Sequence, residues 1–141
     1  MNPNEPFDKE PEVRVFYEKF YIDSKSKHIP SLFETNPVET MSIHRYWQNS
    51  VDAFMMYPYI TYVTCINGDI RVIIAYEVDN GYKFNQYFAS EMDGKVIKVP
   101  ANTWFGLHNI SCGYSTIIQG FTKQKSTPKR LSNNIFNWYD N

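Results

Sequence analysis

The stretch Asp93–Ser111, DGKVIKVPANTWFGLHNIS, decides how this chain is read. Asp93-Gly94 is a turn. Lys95 to Val99 follows as a short strand with Val96, Ile97 and Val99 as its apolar positions. Pro100 and Asn102 break it, and Trp104 to Ile110 forms the next strand. Strand, proline-bearing turn and strand predict a β-hairpin. Alternation along the second strand puts Trp104, Gly106, His108 and Ile110 on one face and Phe105 on the other.

Upstream, Tyr59 to Ile66 and Asp69 to Val78 are apolar runs joined by Asn67-Gly68. Asn-Gly tolerates the positive φ of a type I′ turn, so a second hairpin is expected. One of its faces carries Thr61, Val63 and Cys65 with Ile70, Val72 and Ile74 and should meet a core. The other carries Tyr62, Thr64, Ile66, Asp69, Arg71 and Ile73. Asp79-Asn80-Gly81 is a further turn, leading into a strand from Tyr82 to Ser90. Thr116 to Thr122 and Met41 to Trp47 (MSIHRYW) also read as strands. Gln48 to Pro58 reads as a loop with Phe54, Met55 and Met56 at its tip, and Lys123 to Asn134 as a polar, basic loop. Arg14 to Tyr21 fits strand or helix, with its aromatic and β-branched content favouring strand. Ser24 to His28 is a polar turn that leaves His28 at the surface, and Ile29 to Thr35 an edge strand limited by Pro30. Residues 1–11 form a tail. Short strands with frequent turns predict one all-β domain over residues 1–141.

A chain of 141 residues is long enough to enclose a full core. Its net charge of −1 calls for neither nucleic acid nor an anionic membrane as partner. No apolar run approaches the ~20 residues of a membrane span. The acidic, proline-bearing start MNPNEPFDKEPE is unlike a signal peptide, so a cytoplasmic location is expected. Cys65 and Cys112 have neither a disulfide-framework nor a metal spacing and are expected to be buried thiols. Aromatic residues reach 17%, suited to strands, to a sugar or nucleotide pocket, or to a dimer face.

The order Gly94, five residues, Pro100, one residue, Asn102, two residues, Phe105, three residues, Asn109 resembles the second signature motif of the cupin superfamily. YVTCINGDIRVIIAY, YFASEMDGKVIKVPANTWFGLHNIS, MSIHRYW and the terminal NWYDN resemble one branch of it, the dTDP-4-dehydrorhamnose 3,5-epimerases, over about residues 41 to 141. The resemblance implies a jelly-roll-like cupin β-barrel, a homodimer, and metal-free acid–base chemistry in surface polysaccharide synthesis. The substrate would be a nucleotide-linked 4-keto-6-deoxy sugar. A base removes the proton beside the ketone and an acid returns one to the opposite face.

On this resemblance His44 is the catalytic base, and Arg45 and Arg71 hold the diphosphate. Tyr46, Tyr62, Trp104 and His108 are the remaining substrate-binding candidates. Histidine suits the base role because its ordinary pKa lies near working pH. No metal or other cofactor is expected: the positions that carry histidines in metal cupins hold Tyr46 and Phe105. Two departures stand out. His44 lies 24 residues before Gly68, more than in the family. Either a loop is inserted after Trp47, or Phe54 or Met56 occupies the site. The family's acid, a tyrosine, maps near Ile118, leaving Tyr46, Tyr62, Tyr76 or Tyr87 to substitute. The alternatives to an epimerase are therefore a non-catalytic sugar or nucleotide-sugar binding cupin, and a sugar 3,4-ketoisomerase.

Overall fold

The computed structural model describes residues 14–16, as backbone, and 38–139. Among these residues ten strands appear: β1 (Arg14–Phe16), β2 (Thr40–Tyr46), β3 (Val51–Met56), β4 (Thr61–Asn67), β5 (Asp69–Val78), β6 (Gly81–Ser90), β7 (Val96–Val99), β8 (Trp104–Asn109), β9 (Ser115–Phe121) and β10 (Lys129–Arg130). They form two five-stranded sheets, β1-β7-β4-β9-β2 and β10-β3-β8-β5-β6. Every pairing is antiparallel. The sheets stack face to face as a jelly roll, and no hydrogen-bonded strand pair joins them among the described residues. Among those residues no helix is long and apolar enough to cross a membrane. The expected N-terminal tail, the Ser24–His28 turn and the Ile29–Thr35 strand lie outside the described residues. Of Arg14–Tyr21, only the strand at Arg14–Phe16 is described.

Two expected hairpins are replaced by crossings between the sheets. Asn67-Gly68 does turn, with Gly68 at φ +82°, but β4 and β5 do not pair. Cys65 lies opposite Ile117 of β9, whereas Ile70 lies between Ala89 of β6 and Asn109 of β8. A Cβ on Gly68 would also stand 2.9 Å from Ser111 Oγ and 3.0 Å from the Tyr114 carbonyl. β4 is buried on both faces from Thr61 to Cys65, so it suits the middle of a sheet, with β7 and β9 beside it. The stretch around Pro100 behaves alike: Val99 pairs with Thr61 in one sheet and Trp104 with Ala75 in the other. A local hairpin does form between β5 and β6, closed by Val78 and Gly81 around Asp79-Asn80.

The core holds the faces the alternation assigned to it. Val63 and Cys65 enter from the first sheet and Ile70, Val72 and Ile74 from the second, with Phe105, Leu107, Ile117 and Phe121. The strands thus meet across the core rather than side by side. Cys65 is buried there, but Cys112 is exposed beyond β8, against expectation.

The region Gln48–Pro58 is not the expected loop. It contains β3, and its supposed tip is interior: Phe54 and Met55 are 0% and 1% exposed. A bulge between Asp52 and Met55 interrupts its register with β8. Met55 enters the inner core, while Phe54 points to the outer face of the second sheet. Burial on both faces overrides the weak strand propensity of VDAFMM. That outer face is covered by the C-terminal segment, where Leu131, Ile135, Phe136 and Trp138 pack on Phe54, Ile73 and Ala75. Gly106 permits this close approach, since a Cβ there would meet Trp138 Cη2 at 2.9 Å.

Asn109, which ends the opening motif, is fully buried. Its amide donates to the carbonyls of Tyr46, Trp47 and Gly113 at 2.8 to 3.0 Å. It fixes the end of β2 against the end of β8.

Candidate functional site between the sheets

β2 is paired with β9 and lies at one edge of the first sheet. Its burial alternates residue by residue. Ser42, His44 and Tyr46 lie opposite Gln119, Ile117 and Ser115 and share their inward direction. Met41, Ile43 and Arg45 point out and are exposed. The half-buried His44 shares a 2.9 Å hydrogen bond with Ser42 Oγ through Nε2. Its ring stacks with Tyr46 at 6.1 Å and 24°. Tyr46 donates its hydroxyl to Asp52 Oδ2 at 2.9 Å, and Asp52 Oδ1 accepts from Arg130 Nη1 at 2.8 Å.

Burial lowers the His44 pKa, the positive charge of Lys125 lowers it further, and Asp52 opposes them. His44 is therefore a neutral imidazole at pH 7, able to accept a proton. Burial, then the charge and hydrogen bond of Asp52, pushes the Tyr46 phenol far above its ordinary range. Nearby Tyr57 is raised to about 12, chiefly by burial and then by Tyr59. Both phenols keep their protons. The arrangement joins a neutral base, protonated phenols and the cations Lys125 and Arg130. Asp52, Tyr57, Lys125 and Arg130 were not singled out in the sequence. Asp52 was hidden by the reading of β3 as loop, and the cations by the reading of Lys123 to Asn134 as a polar loop, although Arg130 lies in β10.

The structure does not bring the other candidates to this place. Arg45 is on the outward side of β2, with its guanidinium carbon 4.6 Å from the Tyr114 ring centroid. Tyr62 points out from the first sheet, 0% exposed, beside Val96, Val38 and Ile60; burial raises its pKa. Trp104 belongs to the outer cluster of the second sheet. Arg71 pairs with His108 on that same outer side. The expected alternation in β8 is present, but the face carrying Trp104 and His108 is the outer one. Of the tyrosines named as substitute acids, Tyr46, Tyr76 and Tyr87 border the inner core and Tyr62 does not.

Ile118 also points outward, paired with Ile43 and Thr64. The inward positions of β9 beside this site are Ser115, Ile117, which lies opposite His44, and Gln119; the Ser115 hydroxyl and the Gln119 amide nitrogen are buried with no hydrogen-bond partner among the described residues. The long interval after His44 is filled by β3 rather than by an inserted loop. Of the alternative positions there, Phe54 faces outward and Met56 pairs with Lys129; neither side chain transfers protons. Phe105 is buried in the core. Among the described residues no three His, Cys, Asp or Glu side chains gather to hold a metal.

Two facing antiparallel sheets crossed in this order place the chain in the jelly-roll, cupin-like class. Its structural neighbours include dTDP-4-dehydrorhamnose 3,5-epimerases. The enzyme from Sulfolobus tokodaii superposes with a TM-score of 0.69 at 12% identity, over 91% of this chain and 81% of that one. The enzyme from Elizabethkingia anophelis gives 0.68 at 11%, over 92% and 82%. The Legionella pneumophila dTDP-6-deoxy-D-glucose-3,5-epimerase, solved with dTDP-4-keto-L-rhamnose, gives 0.65 at 11%, over 86% and 73%. At these identities the likeness is one of fold. No protein-family profile matches the sequence, and no curated protein matches it significantly.

Proposed function

We propose that this protein moves protons on a nucleotide-linked 4-keto-6-deoxy sugar, as an epimerase or isomerase, with His44 as the base. The observation that carries the reading is His44 itself, neutral, inward-facing and beside Tyr46 and Lys125. The proton beside a ketone is acidic because the carbonyl takes up the charge, so a base and a cation or donor near the enolate oxygen suffice. Lys125 and Arg130 are the cations available for enolate or diphosphate. Tyr46 is the nearest phenol to return a proton, once its hydroxyl leaves Asp52. A cytoplasmic homodimer serving surface polysaccharide synthesis belongs to the same reading, as does a single functional domain over residues 1–141.

The second reading is a binding module for the same class of ligand. It is favoured by Ile117, which faces His44 from β9 and has no proton to give.

Incubation with dTDP-4-keto-6-deoxyglucose in heavy water, read by NMR beside His44→Ala, tests both. Label at carbons flanking the ketone that disappears in His44→Ala supports the enzyme. Label at one such carbon only indicates a mono-epimerase or isomerase. Binding of the sugar without exchange leaves the module. Absence of both binding and exchange rejects the substrate class.

A further inference from the structure

A second polar cluster lies on the outer side of the second sheet, across the sandwich from His44. At its centre is Arg71, half-buried, with no carboxylate partner among the described residues. Its Nη2 donates to His108 Nδ1 at 2.9 Å and to the Trp138 carbonyl at 2.7 Å. Its Nη1 reaches Gln86 Oε1 at 3.4 Å, and its Nε is buried without a partner among the described residues. The guanidinium carbon lies 5.6 and 5.8 Å from the Phe136 and Trp138 ring centroids. Burial without a counter-charge is costly for a cation.

The network fixes its own polarity. Arginine cannot accept, so His108 Nδ1 is the accepting nitrogen and the ring proton is on Nε2. Nε2 then donates to Asn49 Oδ1 at 2.9 Å. Asn49 is held in the left-handed region at φ 64°. Its N–H donates to the Asn109 carbonyl at 3.1 Å, and its own carbonyl accepts the Tyr139 hydroxyl at 3.0 Å. With both amide oxygens turned to donors within the cluster, Asn49 and Gln86 are left with their NH2 groups to offer.

These groups line a trough of about 480 Å³ that contains no acidic side chain among the described residues. Its apolar walls include Phe88 and Ile110, 46% and 43% exposed. Donors, a guanidinium with no counter-charge among the described residues, and apolar walls together fit a ligand with an oxyanion and a flat apolar body. We propose that this trough binds a small organic anion, its carboxylate or phosphate against Arg71, Asn49 and Gln86 and its ring on Phe88 and Ile110. The site is separate from the chemistry proposed at His44 and stands or falls independently of it.

The test is an NMR titration of the full chain with benzoate, phenyl phosphate and neutral benzamide, following the Asn49 and Gln86 side-chain amides and the Trp138 indole. Saturable shifts with at least one anion, and none with benzamide, are expected. Benzoate alone identifies a carboxylate ligand, phenyl phosphate alone a phosphate. Gln86→Glu, on an exposed residue, sets a carboxylate beside Arg71 and should weaken anion binding about tenfold or more, as should Arg71→Gln. His44→Ala should bind the anions unchanged. No saturable shift with either anion, equal binding of benzamide, or full affinity in Gln86→Glu would overturn the proposal.

Discussion

His44 and His108 have similar electrostatic settings and opposite degrees of freedom. Burial lowers the pKa of each, and a cation lowers it further, Lys125 for one and Arg71 for the other. His108 is 4% exposed, with both ring nitrogens bonded and Trp138 and Tyr139 edge-on at 5.8 and 5.4 Å. Protonating it would break its bond from Arg71. His44 has one nitrogen on a serine hydroxyl, which can donate or accept. A lowered pKa therefore does not by itself distinguish a base from a structural histidine; the commitments of the two nitrogens do.

The sharpest way to break this contrast is to remove each ring. His44→Ala should cut deuterium exchange by about 10²-fold or more while changing stability by at most about 1 kcal/mol, the value of one half-exposed hydrogen bond. Exchange that survives in His44→Ala would remove the base from the inner site. Trp138→Ala should cost about 3–5 kcal/mol in urea unfolding, because it empties the outer cluster beneath Phe54 and Gly106. A loss below about 1 kcal/mol would mean that the C-terminal segment is not integral to the second sheet.

Arg71→Met should cost about 1–3 kcal/mol, leaving the Trp138 carbonyl and His108 Nδ1 without their donor. It should also raise the His108 pKa, followed by NMR titration, since the nearby cation is gone. An unmoved pKa would leave burial as its sole cause. The smallest effect is on the pH dependence of stability. Both histidines have folded pKa values below the unfolded value near 6.5, so the unfolded chain takes up protons first as pH falls. Their contribution is complete above about 6.5 and is lost as pH drops from there toward the folded values. The loss should be smaller in His44→Gln and in His108→Gln; an unchanged slope in both would contradict the shifts.

Much of the fold was legible because alternation is a local signal. The inward faces of β4 and β5, and the opposition of Phe105 to Trp104 and His108, follow from period two alone. Which sheet a strand joins is not local. Asn67-Gly68 is as good a turn between sheets as within one, so β4 and β5 were expected side by side and instead face each other. β3 was missed because VDAFMM owes its conformation to Phe54 and Met55 being buried on opposite sides. For the site, period two put His44 and Tyr46 together, but nothing local tells the inner face of β8 from the outer. Arg71 and His108 were thus expected in one pocket with His44, although they meet each other on the far side of the sheet.

One consequence concerns the edge position of β2. Among the described residues its only sheet neighbour is β9, and Thr40 pairs with Phe121 across most of the described chain. Joining strands so far apart in sequence carries a large loop-closure cost, so this pairing is expected to complete late in folding and to open early in native fluctuations. A slip of one residue would turn Ile43 inward and His44 out to solvent. The base proposed here is therefore only as persistent as the register of a single edge ladder, and amide exchange along β2 should run ahead of that in β4.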